Sequence, residues 1–317
     1  MATITFIWDG VSDTTPESST DYYRGSTSGY FNTSSYTESW TGSNFFYSGV
    51  YPTSGFINTY NYTQKDGSFD LKISATTYFI YPGETYNGII AGLLSEQDSW
   101  YGNEFNNFFL MSVGGDRYYG GKGIDTLDAI LTRDNWILPE TSIEKSGAVV
   151  TIKNFGLTSI TLDSVERIQF ADATLAFDTD AANSAGGVYR LYMAALDRTP
   201  DLSGLGYWIA QADAGTKDAV RMATDFTYAD EFKWLYGVQT ADNYMTGEDI
   251  TALVTKIYEN VLNRAPDADG RDYYVDQITT KLKTVGQVLA EISDSAENKL
   301  AVADLIGTGI EYTPWVD

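Results

Sequence analysis

Apolar positions recur with three different periods along this 317-residue chain, and each period predicts a different kind of element. Near the N-terminus the period is two. The stretch 68–74, SFDLKIS, alternates strictly between polar and apolar, the pattern of a strand with one buried face. The β-prone run 76–81, TTYFIY, stops at Pro82-Gly83. The stretches 44–47, NFFY, and 55–60, GFINTY, predict further strands between turns of Gly, Pro and Ser. In the middle of the chain the step is nine, through Trp100, Phe109, Tyr118, Leu127 and Trp136. From about residue 185 the period is helical, with Val188, Leu191, Tyr192 and Ala195 at i, i+3, i+4 and i+7. The expected fold class is therefore α+β and multidomain. A β-rich region covers 1–92, a short coil with capping strands 93–180, and an all-α domain of two tandem repeats 185–317.

The nine-residue step brings chemistry with it. Two residues before each apolar position stands an oxygen donor: Asp98, Asn107, Asp116, Asp125 and Asp134. The best-formed unit is 120–128, GGKGIDTLD. Its glycines permit left-handed backbone angles that free carbonyls to point inward, and its aspartate supplies a hard oxygen. The preceding unit keeps Gly114, and the register fails at Ile89 and Ile143, which bounds the coil at roughly 93–137. This pattern resembles the RTX-type (hemolysin-type) calcium-binding nonapeptide, whose units each make a half-turn of a β-roll. The resemblance implies calcium held between loops two nonapeptides apart. Asp98, Asp116 and Asp134 would share one flank, Asn107 and Asp125 the other, with carbonyls near Gly114, Gly121 and Gly123 completing the shells. The segment 163–178, DSVERIQFADATLAFD, resembles the strand pair that closes such rolls in secreted proteins and is expected to cap the coil's open end.

The helical region repeats itself 66 positions on: Leu191-Tyr192 answers Ile257-Tyr258, and 196–201, LDRTPD, answers 262–267, LNRAPD. Gly204 answers Gly270, Tyr207-Trp208 answers Tyr273-Tyr274, and Glu231 answers Glu297. The motif L-x-R-x-P-D-x-x-G-x-x-Y-W resembles a bacterial helical domain of unknown function that commonly follows RTX repeats in secreted and surface proteins. The resemblance implies an all-helical fold and brings no established catalytic activity to carry over. Asp201 and Asp267 follow proline and precede a helix, the place of an N-cap; ion ligation is the alternative. Arg198 and Arg264 are expected to pair with an acid of their own repeat, the alternative being a ligand's carboxylate. The paired aromatics read as core, or else as platforms for glycans.

Composition removes several functions. The formal charge is −23, from 43 acidic and 20 basic residues, so phosphate backbones are repelled and nucleic-acid binding is excluded. With no cysteine and no histidine the chain has no thiol nucleophile, thiolate site, imidazole base or HExxH centre. Carboxylate-pair glycosidase chemistry stays formally open. The N-terminus shows neither a basic n-region nor an apolar run fit for a signal peptide, and no stretch approaches a membrane span. The stretch 307–317, GTGIEYTPWVD, resembles the uncleaved C-terminal signal of type I secretion substrates. Together these features predict a secreted, calcium-binding structural protein and not an enzyme. It would leave the cell through the type I secretion machinery and self-assemble into a surface layer, filament or matrix through strand edges near 44–47 and 55–60. The alternatives are an adhesin binding surface polysaccharide and a glycosidase.

Overall fold

The computed structural model describes the backbone of residues 3–8, 21–24, 28–32, 36–47, 52–64 and 69–80. It also describes residues 99–102, 104–111, 115–129, 141–153, 159–238 and 245–315 with their side chains, apart from that of Leu110. Packing divides the chain into two units, 1–171 and 172–317. The division falls inside the segment read as a capping strand pair.

In the first unit the nine-residue step becomes a set of short strands. β7 (Ser99–Tyr101), β8 (Phe108–Leu110), β9 (Arg117–Tyr119) and β10 (Thr126–Asp128) begin at intervals of nine, each one residue after a polar position of the pattern. β7 pairs in parallel with β9, and β8 in parallel with β10. Alternate strands thus join different sheets, and the chain winds as a two-sided coil. Trp100, Phe109, Tyr118 and Leu127 fill it, none more than 3% exposed. Trp100 stacks on Tyr118 at 5.8 Å between ring centroids, and Phe109 meets the same ring edge-on at 5.7 Å. These rings supply the apolar burial that short strands could not supply by hydrogen bonding alone.

The winding resumes further on. β13 (Ile160–Asp163) adds in parallel to β9, and β14 (Arg167–Gln169) in parallel to β10. β12 (Val149–Lys153) and β11 (Ser142–Ser146) then follow outside β13 as antiparallel strands. On the other side, β1 (Thr3–Trp8) lies between β7, to which it is parallel, and β6 (Phe69–Ile80), to which it is antiparallel. An antiparallel meander of β5 (Pro52–Gln64), β4 (Tyr36–Tyr47), β3 (Ser28–Asn32) and β2 (Asp21–Arg24) completes an eleven-stranded sheet among the described residues. Two sequence expectations are corrected here. The stretch 55–60 lies within β5 and is laddered to both β4 and β6, so it is not a free edge, whereas 44–47 runs past the length of β4 that pairs with β3 and is laddered, among the described residues, to β5 alone; the outer strands are β2 and β11. Residues 69–74 and 76–80 of the two predicted runs form one strand, bent where Ile57↔Tyr78 gives way to Thr59↔Ser74, because surplus residues bulge out of the ladder.

The second unit opens with β15 (Thr174–Ala176) and continues as eight helices among the described residues. These are α1 (Ala185–Leu196), α2 (Leu202–Asp213), α3 (Ala219–Tyr228), α4 (Asp230–Tyr236), α5 (Gly247–Leu262), α6 (Ala268–Thr279), α7 (Val285–Ser293) and α8 (Ala296–Ile306). Side-chain N-caps start seven of them, at Ser184, Asp201, Asp218, Thr246, Asp267, Thr284 and Ser295. α1 and α5 end alike, on left-handed Asp197 and Asn263. The repeats interlock where α7 crosses α3: a Cβ on Gly286 would stand 2.5 Å from Thr224 Oγ1. The fully buried Arg190 fastens the start of the unit to its far end, donating to the carbonyls of Thr179, Asp180 and Ala181 and to Asp294. β16 (Ile310–Tyr312), from the stretch read as an export signal, pairs antiparallel with β15.

Candidate metal centre

Asp125 closes the loop 120–125 immediately before β10, and the glycines of that loop explain how a carboxylate comes to lie inside. A Cβ on Gly120 would sit 1.9 Å from the Ser164 carbonyl oxygen and 2.4 Å from Asp125 Oδ2, so this position admits no side chain. Gly121 and Gly123 adopt φ of 103° and 107°, angles open to glycine and strained for other residues. The loop rests on the one 18 residues earlier: Ile124 N–H donates to Asn106 Oδ1 at 2.9 Å, and Asn107 N–H to Asp125 Oδ1 at 2.6 Å. The same relation holds one turn back, where a Cβ on Gly102 would stand 2.2 Å from Asn107 Oδ1. In both of these units the polar side chain is seated against the unit's own first glycine.

The column extends forward as well. Thr126 is in register with Arg167, so Glu166 stands beside Asp125, and its Oε2 accepts the Asp125 N–H at 2.8 Å. Asn107, Asp125 and Glu166 therefore line one flank over three turns. Asp125 is fully buried, and among the described residues its Oδ2 has no hydrogen-bond partner. Burial pushes its carboxyl up to about 7; the Asn107 N–H pulls the other way, and the charge of Glu166 adds to the rise. Asp116, also buried, belongs to the other flank, where the Tyr118 hydroxyl donates to its Oδ2 at 3.4 Å. Gly121 and Gly123 are exposed. Asp98, Gly114 and Asp134 lie outside the described residues. Glu166 is the residue that sequence reasoning missed. Matching E-R-I at 166–168 with D-T-L at 125–127 places a carboxylate and an apolar residue at the same two positions of the unit.

These donors are all oxygens, so the corner suits a hard cation and offers nothing to a thiophilic or imidazole-seeking metal. Among the described residues no three acidic groups converge on one point. Backbone carbonyls and water would have to supply most of any shell.

The repeat arginines of the helical unit bond to acids of their own repeats. Arg198 forks onto Glu231 with Nε–Oε1 at 2.7 Å, and Arg264 onto Glu297 with Nε–Oε1 at 2.6 Å. Each guanidinium also covers a tyrosine ring, Tyr192 at 5.1 Å and Tyr258 at 5.4 Å. Asp201 accepts from the Tyr192 hydroxyl and caps α2 through Gly204 N–H; these bonds hold its carboxyl down at about 2. Asp267 caps α6 through Gly270 N–H. In each repeat, arginine, acid and cap tie two helix junctions together, the structural role expected of them.

Residues 176–236 and 239–302 each match the Domain of unknown function (DUF4214) family, so the second unit carries two copies of that domain. No curated protein and no solved structure matches the chain. Among the described residues no helix is long and apolar enough to cross a membrane.

Proposed function

We propose that the coil of residues 99–169 is a calcium-binding β-roll, and that the chain is a secreted structural protein that self-associates at a bacterial cell surface. The observation that carries this reading is the buried Asp125 carboxylate, one oxygen of which has no hydrogen-bond donor among the described residues. A buried, unpaired carboxylate is costly, and either a proton or a cation removes the cost. The residues present fit calcium: Asp125 and Glu166 would contribute carboxylate oxygens, Asn107 an amide oxygen, and the loop through Gly121 and Gly123 its carbonyls. When bound, calcium supplies positive charge that lets the stacked loops close at neutral pH. The chain's own residues set the nine-residue winding and the oxygen column.

The surface role rests on three supports. The chain has no histidine or cysteine chemistry, its paired arginines are already bound to acids, and at a formal charge of −23 its copies repel until cations intervene. Calcium would act twice, by folding the coil and by screening subunits from one another. The test is a thermal melt with calcium and with chelator, on the wild type and on Asp125→Asn. The asparagine keeps an oxygen for the Asn107 N–H and loses the charge. Calcium is expected to raise the midpoint of the wild type and to leave that of the variant unchanged. An equal rise in both would remove Asp125 from the site.

A further inference from the structure

The segment that follows α8 packs into the helical unit as an extended strand. Ile310 and Tyr312 are 2% and 7% exposed and belong to the unit's apolar core, although they lie beyond the residues matched to the domain family. Ile310 pairs with Ala176 and Tyr312 with Thr174 across the β15–β16 ladder. Beyond the strand, Thr313 N–H donates to the Leu202 carbonyl at 3.1 Å, and Trp315 lies edge-on to Tyr207 at 5.1 Å. The approach to α2 is close enough that a Cβ on Gly206 would stand 1.8 Å from the Thr313 carbonyl oxygen.

The two repeats differ at this place. Sixty-six positions on, Leu202, Leu205 and Gly206 are replaced by Ala268, Arg271 and Asp272. α2 buries Leu205 and Gly206, whereas α6 buries Ile278 and shows solvent a polar surface. The first repeat has been shaped to receive an extended segment, and the second has not. The segment itself is joined through Gly307-Thr308-Gly309, with Gly309 at φ 114°, a glycine-rich joint between helix and strand.

We infer that the groove between β15 and α2 is a strand-accepting site. Its ligand is an extended peptide with apolar residues at alternate positions and an aromatic three residues on, filled here by residues 310–315 of the same chain. The same segment of a second copy fits it equally, which gives the molecule a means of joining copies. This inference does not depend on the ion proposed for the coil, and its test is run in chelator.

The experiment uses the full chain with a protease site introduced within residues 307–309. After cutting, the released segment is expected to co-elute with the body of the protein and to exchange with an added fluorescent peptide of residues 307–317. A peptide carrying Ile310→Asp and Tyr312→Asp should bind at least about tenfold more weakly, because both side chains are buried. Gly206→Ala in the body should weaken binding of the unaltered peptide while α-helical circular dichroism is retained. Loss of the segment on cutting with the helical unit still folded would overturn the proposal. So would equal binding of the two peptides. If the cut protein unfolds, re-addition of the peptide should refold it, and failure to do so would count equally against the site.

Discussion

At Asp125 the needs of the fold and of the charge conflict. The carboxylate must face inward to accept the Asn107 N–H, yet burial opposes its ionisation. Its carboxyl in the folded chain is raised from the usual carboxylate range to about 7, so the folded state binds the proton more tightly than the unfolded chain does. The associated stability is complete below the unfolded value, about 4, and is lost as pH rises through about 7. Without calcium the first unit should therefore melt at a lower temperature at pH 8 than at pH 5. Asp125→Asn should flatten that dependence relative to the wild type, which separates this group from the general repulsion of an acidic chain. The two cap aspartates offer a simpler comparison. Asp267→Ala removes one N-cap bond and should cost about 1 kcal/mol. Asp201→Ala also strips the acceptor from the Tyr192 hydroxyl and should cost about 1–2 kcal/mol more, read by chemical denaturation of the second unit. The arginine forks should contribute less than their geometry suggests, because Arg264 and Glu297 are 41% and 46% exposed.

Elements show what the sequence alone could and could not convey. Where one residue type recurs at a fixed step, the structure follows it: the four apolar positions from Trp100 to Leu127 became the filling of the coil. The caps at Asp201 and Asp267 were legible for the same reason, since capping depends on residues within one turn. Pairing between distant segments was not legible. Nothing near Thr3 announces that β1 lies between β6 and β7, and nothing near Ile310 points to Thr174, because strand partners are selected by the whole sheet and not by the strand. The same is true of Glu166, which reaches Asp125 only through the register of β10 with β14. The crossing of α7 over α3 is also long-range, and it can be tested. A methyl at Gly286 has nowhere to go against the backbone of Thr224, so Gly286→Ala should push the helices apart and destabilise the second unit by roughly 1–3 kcal/mol. Val220, its counterpart in the first repeat, is 40% exposed, and Val220→Ala should be nearly neutral in the same denaturation assay.

On the scale of the molecule, the outer strands are further edges for the proposed assembly to use. β2 and β11 are the outer strands; β11 carries Glu144 and Lys145 at its middle, charges that discourage pairing with another chain, whereas β2 has its charges, Asp21 and Arg24, at its two ends. β2 is the better candidate. Light scattering of the full chain is expected to rise in millimolar calcium and to fall on addition of chelator. Of Tyr22→Pro and Tyr23→Pro, the one whose N–H faces away from β3 should abolish the rise while sparing the fold. A wild-type chain that stays monomeric at high concentration in calcium would end the structural-polymer reading. If the chain does serve as a scaffold, the central position of β1 determines how it carries load. Six of its residues are laddered to β6 and three to β7, in opposite directions. A pull along β1 would strain those bonds together in shear, whereas a pull across the sheet at β2 would peel them one after another. Stretched in the first direction the sheet is a rivet, and in the second a zip.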